Sequence, residues 1–276
     1  MLRSILVGLD GTPDGEAAVE LGLRWAQRFE AALVGIGVVD EPGIHGAEEF
    51  LVGQAFFNRL NRELLAEIRQ RLGEAARRFL QRCGEVGVAG RSVEETGAPD
   101  AQIVLEAQRH DLILLGQRTQ FRFGREDGTD DTLTRVVSAS PRPVVMVPGA
   151  VPEGEAVIVA YDGSLQAARA LYAFEASGLG QGQTVHIISV DPDAGVAAGL
   201  AERACAFLRC HEIEAQAHPI AHHGMAAGPI LDRVRQLGAG LLVMGAYGKP
   251  TLREFFLGTV TRNVLKDSPV PVFLFH

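Results

Sequence analysis

Gly245-Ala246-Tyr247-Gly248, joined after nine intervening residues by Gly258-Thr259, begins where the apolar run Leu241-Leu242-Val243-Met244 ends. A strand that breaks into a glycine loop and re-enters a helix at Gly-Thr builds a nest for phosphates. Glycine lets the backbone approach an anion closely, and the free N–H groups of the first helical turn, with Thr259 as cap, point at its charge. Taken alone, the same glycines also suit any tight strand-to-helix turn.

About eighty residues upstream, Val157-Ile158-Val159-Ala160-Tyr161 runs into Asp162-Gly163-Ser164 and then into a helical pattern. Asp162 is therefore expected at the carboxyl end of a buried strand, the edge of an open parallel sheet where ligands bind, and there it can accept from a ribose hydroxyl or an adenine amine. Its simpler reading is a cap for the next helix. The pattern recurs near the amino terminus, where Ile5-Leu6-Val7-Gly8-Leu9-Asp10-Gly11-Thr12 mirrors Val157 to Ser164. The ends agree as well: Ser140-Pro141-Arg142-Pro143-Val144-Val145-Met146-Val147 closes one half and Ser268-Pro269-Val270-Pro271-Val272-Phe273-Leu274 the other. A period this long marks a duplicated domain rather than a solenoid repeat, with copies at residues 1–150 and 151–276.

These residues resemble the universal stress protein family in its tandem two-domain form, over nearly the whole chain. The resemblance rests on the strand ending in Asp-Gly-Ser/Thr, the loop from Gly245 to Thr259, the helix Thr261-Arg262-Asn263-Val264-Leu265 and the closing Pro-Val-Pro-Val strand. It implies an α/β fold of two doubly wound, five-stranded parallel-sheet domains, Rossmann-like and similar to the adenine nucleotide alpha hydrolases. The closing strands would pair to form an intrachain pseudo-dimer. It also implies ATP, with Mg2+, in the copy with the full loop. By resemblance the backbone of Val190 faces the adenine edge and Asp162 holds the nucleoside, with Gly163 and Ser164 beside it. Gly224, Met244, Gly245, Gly248, Lys249, Gly258, Thr259, Val260 and Thr261 complete the expected nucleotide contacts.

Composition fits a core-rich chain: 276 residues, 47% hydrophobic, 22% charged, formal net charge −8. The acidic balance argues against nucleic acid and anionic membrane as general partners, because phosphate surfaces are held by clustered lysine and arginine. No apolar run approaches the length of a membrane span, and Ile5 to Leu9 is too short for a signal peptide and leads straight into the Asp10 turn. Cys83, Cys205 and Cys210 lack paired metal-ligand spacing and suit a reducing cytoplasm.

In the first copy, Thr12-Pro13 opens a helix with an apolar face of Ala18, Leu21, Trp25 and Phe29. A loop is expected up to about Asn58, with Ile44 to Asn58 as an alternative lid or partner surface. A long helix follows, with Leu60, Leu64, Ile68, Leu72, Ala76, Phe79 and Cys83 in its apolar stripe. The phosphate loop then diverges. Gly116 matches Gly245, Thr119 replaces the second glycine, and counting back from Pro143 places Asp130-Asp131 where the second copy has Gly258-Thr259. Two carboxylates at a helix entrance suit its dipole but repel a triphosphate. Glu126 and Asp127 add to the repulsion; Arg118, Arg122 and Arg125 oppose it. The first site is read as degenerate, although an alignment on Gly124 or Gly128 partly restores it. Asp127, Asp130 and Asp131 match no calcium-loop spacing, and the metal assignment stays open.

In the second copy, His218, His222 and His223 crowd the end of the third strand. They read as solvated or ligand-edge residues, because a zinc site needs three or four convergent ligands. Arg253 and Arg262 add positive charge near Lys249. Nothing orients Glu254 on a water, and the Gly-x4-Gly-Lys-Ser/Thr loop is missing, so slow ATP hydrolysis is the most that is indicated. The expectation is a cytoplasmic stress-response module that binds ATP chiefly in its second domain. The alternatives are a nucleotide-independent scaffold for protein partners and a weak ATPase, with homodimerisation left open.

Overall fold

Runs such as Ile5-Leu6-Val7 and Val157-Ile158-Val159 have no polar face, so they need cover on both sides, which a parallel sheet between helices supplies. A computed structural model describes residues 1–41, 54–121, 130–246 and 258–276. The chain divides into two units, Arg3–Arg142, and Pro143–His276 together with Met1–Leu2.

The Arg3–Arg142 unit runs β1 (Ser4–Gly8), α1 (Pro13–Phe29), β2 (Ala32–Val39), α2 (Gln54–Glu85), β3 (Gly90–Thr96), α3 (Pro99–Ala107), β4 (Leu112–Gly116) and α4 (Thr132–Ala139). Its strands lie in the order β3-β2-β1-β4, all parallel. Helix α1 starts as its sequence demands, with Thr12 accepting from the Gly15 N–H at 3.0 Å and Pro13 in the first turn. Its buried face is Ala18, Leu21, Gly22 and Ala26, joined by Val19 and Leu23, while Trp25 and Phe29 are half-buried. On α2 the stripe Ile68, Leu72, Phe79 and Cys83 is buried, and Ile68 and Leu72 pack on Val39. Ala75 is buried in place of Ala76. Residues 42–53, which include most of the alternative lid, lie outside the described residues.

At the amino-terminal ends of β1 and β4 a buried polar chain joins the strands. Ser4 Oγ and His110 Nδ1 are 2.7 Å apart, and His110 Nε2 and Glu106 Oε1 are 3.2 Å apart. Arg91 and Arg109 pair with the same Glu106 carboxylate. Burial pushes the His110 pKa below its ordinary value, against the pull of Glu106.

The second unit runs β5 (Val144–Val147), β6 (Ala156–Ala160), α5 (Leu165–Ser177), β7 (Val185–Asp191), α6 (Ala194–Cys210), β8 (Ala215–Ala221), α7 (Ala227–Gln236), β9 (Ala239–Gly245), α8 (Thr259–Asp267) and β10 (Val272–Phe275). The order is β5-β10-β9-β6-β7-β8, parallel except for β5 against β10. The two closing strands therefore pair with each other, Val145 opposite Phe273 and Met146 opposite Val272. That ladder draws β5 into the second unit, as the Leu2 N–H draws the chain start by donating to the Ser177 carbonyl at 3.2 Å.

Phe273 is fully buried, in register with Val145 and Val243, and meets Phe174 edge to face at 6.3 Å between centroids. Phe273→Ala is expected to lower the free energy of urea unfolding by about 3–5 kcal/mol. Tyr172→Ala, at an exposed position on α5, should stay within about 0.5 kcal/mol of wild type. Equal losses would contradict this placement of the core.

Candidate functional site

Both units present the same turn, after β1 in one and after β6 in the other, and the two carboxylates in it have different surroundings. Gly11 and Gly163 follow Asp10 and Asp162 with φ of 71° and 74°, left-handed conformations that suit glycine. Thr12 and Ser164 then cap α1 and α5. In the second unit this turn lies in the crevice where the chain path reverses, with β9 on one side of β6 and β7 on the other.

Asp10 is 3% exposed and fully used. Its Oδ1 accepts from the Thr12 N–H at 3.0 Å and the Thr12 hydroxyl at 2.8 Å. Its Oδ2 accepts from the Thr119 hydroxyl at 2.6 Å and the Gln120 N–H at 2.9 Å. The residue in place of the second glycine thus ties the loop after β4 to the turn after β1. Asp162 is exposed, and its Oδ1 accepts from the Ser164 N–H at 2.9 Å. Among the described residues no other group donates to it. A carboxylate with lone pairs turned to solvent can accept ligand hydroxyls; a saturated one cannot without losing internal bonds.

The helix entrances differ in the same sense. Asp130 accepts from the Phe121 N–H at 3.0 Å through one oxygen and from the Thr132 N–H at 2.9 Å through the other. A side-chain carboxylate of the chain itself therefore sits at the start of α4, where a helix N-terminus favours an anion. Val136 and Val137 are buried as Val264 and Leu265 are, 128 residues apart in each case, which keeps Asp130 level with Gly258. At α8 the N-cap is Gly258, with no side-chain cap bond. Thr259 is thus the first helical residue, a correction to its expected role as cap.

Arg118 also departs from expectation. Rather than offsetting the carboxylates at α4, its guanidinium grips Asp14, with Nε at 3.1 Å from Oδ2 and Nη2 at 3.1 Å from Oδ1, and its N–H donates to Oδ2 at 2.9 Å. Residues 122–129, which carry Arg122, Gly124, Arg125, Glu126, Asp127 and Gly128, lie outside the described residues. A cleft of about 300 Å³ beside Asp10, Gly11 and Thr12 is lined from α2 by Arg71, Glu74 and Arg78.

Of the residues singled out in the second copy, Asp162, Gly163 and Ser164 follow β6, Val190 is half-buried near the end of β7, and Met244 and Gly245 end β9. Gly258, Thr259 and Val260 open α8, and Gly224, with φ 137°, follows β8. All stand on the carboxyl-terminal side of the sheet. Thr261 is buried in the first turn of α8. A Cβ on Gly245 would come within 2.6 Å of the Ala167 N, and one on Gly116 within 2.8 Å of the Gly15 N. In both copies this glycine is required where a strand end lies against a helix start, so its presence alone is no sign of a ligand. Gly248, Lys249, Arg253 and Glu254 lie outside the described residues.

The histidines rearrange differently from the sequence grouping. His218 meets His186 of the adjacent strand, Nε2 to Nδ1 at 2.9 Å. Burial, then nearby positive charge, pushes both below the ordinary 6.5. No group of three or more metal-ligating side chains converges among the described residues, and none of their helices is long and apolar enough to cross a membrane.

The profile of the Universal stress protein family matches residues 1–148 and 155–276. A universal stress protein of Synechocystis is 26% identical over 171 residues, 60% of this chain, and the match spans 58% of that protein's length. The crystal structure of a universal stress protein from Archaeoglobus fulgidus superposes with a TM-score of 0.73 at 22% identity, over 99% of this chain and 97% of that one. A universal stress protein solved in complex with cAMP aligns over 54% of this chain and 99% of its own, at 18% identity and a TM-score of 0.38.

Asp10→Asn puts an amide donor against hydroxyl and N–H donors and should cost about 1.5–3 kcal/mol in chemical denaturation. Asp162→Asn should stay within about 0.5 kcal/mol, and equal costs would contradict the contrast. Because burial lowers the folded pKa of His186 and His218, their neutral rings contribute stability that is fully present above the unfolded value of 6.5 and is lost as the pH falls below it. The denaturation midpoint should therefore drop between pH 7 and 5.5, with a smaller drop in the His186→Gln, His218→Gln double variant. Parallel pH curves for the two proteins would contradict this.

Proposed function

The chain belongs to the universal stress protein family, and from that premise we propose that its second domain, residues 151–276, binds ATP with Mg2+ as a cytoplasmic stress-response module, while the first, residues 1–150, does not. The observation that carries this reading is the contrast between Asp162, open to solvent, and Asp10, saturated by Thr12, Thr119 and Gln120.

In the second domain Asp162 accepts from the ribose, the backbone of Val190 faces the adenine, and the first-turn N–H groups of α8 receive phosphate charge. Gly248 and Lys249, outside the described residues, are the further phosphate contacts that the family resemblance implies. Gly163 and Ser164 fix the turn, Met244 and Gly245 wall the crevice, and Gly224 borders it. Mg2+ would enter with the nucleotide and offset its phosphate charge, with no described side chain assigned to it. In the first domain Asp130 already satisfies N–H groups at the helix entrance, and an incoming phosphate would meet its negative charge. Regulation follows if ATP has unequal affinity for two states of the chain or of a complex it joins.

A scaffold reading has its own support. Leu165 and Tyr172, seven residues apart on α5 and so near one helical face, are both exposed. It predicts partner binding that is indifferent to nucleotide.

Calorimetric titration of nucleotide-stripped protein with ATP and Mg2+ tests the first reading. One site per chain is expected. Gly258→Asp, which installs the carboxylate found in the other copy, should abolish it, and Asp162→Ala should weaken it by about tenfold, the equivalent of one hydrogen bond to a charged group. Two sites would overturn the assignment of the first domain, and no binding would favour the scaffold.

A further inference from the structure

At the free edge of the second unit's sheet, β8 and α7 enclose a cleft of about 610 Å³. Ile220 and Pro229 give it apolar walls, and Met225 stands 55% exposed at its side, held by the Asn263 amide at 3.5 Å from its sulfur. Arg233 lines the cleft half-buried, and its guanidinium makes no hydrogen bond or ion pair with any described residue. Asp232 is also present, but it is engaged with Arg235 at 3.1 Å. Deeper on the same face of β8, two residues before Ile220, His218 pairs with His186, and both rings feel the Arg233 charge. His222 is the remaining titratable group on the lining.

Beside apolar walls, a guanidinium with no carboxylate partner among the described residues suits an anion that brings a hydrocarbon part with it. We propose that this cleft is a small-molecule site for a monocarboxylate with a short apolar chain. Arg233 takes the carboxylate through its planar fork, and Ile220, Met225 and Pro229 cover the chain. A single charge is favoured over a phosphate dianion. Arg233 is the one cation of the lining without a carboxylate partner among the described residues, burial disfavours the charged form of the two paired histidines, and Asp232 faces the same space. The site does not depend on the ATP reading.

The test is a titration of the whole protein with octanoate, followed by NMR of the histidine ring resonances between pH 5 and 8. Octanoate should bind saturably and raise the pKa values of His186 and His218, because a carboxylate on Arg233 cancels the charge that lowers them. Arg233→Gln should raise both pKa values without ligand and weaken octanoate at least tenfold. Met225→Asp, at an exposed position where folding is not at stake, should weaken it as well. Octanoate that leaves the rings unmoved, or that binds Arg233→Gln as tightly as wild type, would overturn the site. Inorganic phosphate or acetate acting at the same concentrations as octanoate would overturn the proposed ligand class.

Discussion

A carboxylate oxygen at a strand end can accept from the chain or from a ligand, and the two halves of this protein fill those acceptor sites differently. The Asp-Gly turn is shared by the two copies because its geometry is dictated locally. A buried parallel strand must reverse into a helix, the left-handed glycine makes the reversal, and the Thr or Ser after it caps the helix. Local sequence therefore fixes where the carboxylate stands. Residues more than a hundred positions away fix what it holds: Thr119 and Gln120 close the account of Asp10.

The first copy is consistently built around internal partners. Asp10 holds the loop after β4, Asp14 holds Arg118 in the same loop, and Asp130 joins Phe121 to the first residue of α4. Each is a charge-assisted bond that stabilises the unit while removing a donor or acceptor from the carboxyl edge. Helix α2 adds Arg71, Glu74 and Arg78 beside the turn. The corresponding helix of the second copy, Ala194–Cys210, packs through Ala197, Ala201, Ala204 and Leu208. The strand-end carboxylate is thus saturated from within in one copy and exposed to solvent in the other.

Much of this was legible in the residues. Apolar runs of four or five, helical stripes such as Ile68, Leu72 and Phe79, and the repeated Asp-Gly and Pro-Val-Pro-Val signatures specify a duplicated α/β fold because each reports local backbone geometry or burial. The closing-strand ladder follows from the same repeat. What escaped depends on register and on distant side chains. The His186–His218 pair exists because β7 and β8 align Ile188 with His218, which no local pattern encodes. The Ser4–His110–Glu106 chain likewise needs β1 beside β4. Thr259 and Arg118 were misread by the same route: each has the right residue type near the loop, but the cap falls one residue earlier and the guanidinium finds a buried carboxylate. Gly245 carries the converse lesson, since the residue that first suggests a phosphate loop is demanded by helix packing in both copies.

The central claim is that the two copies, alike in fold, differ in whether their strand-end carboxylate is open to a ligand. A crystal structure of the chain grown with ATP and Mg2+ tests it most directly. The account predicts nucleotide density at the carboxyl ends of β6 and β9, with the ribose on Asp162 and phosphates at Gly258, and the Asp10 and Asp130 hydrogen bonds intact. Nucleotide seated over Asp10, with Thr119 and Asp130 displaced, would contradict it.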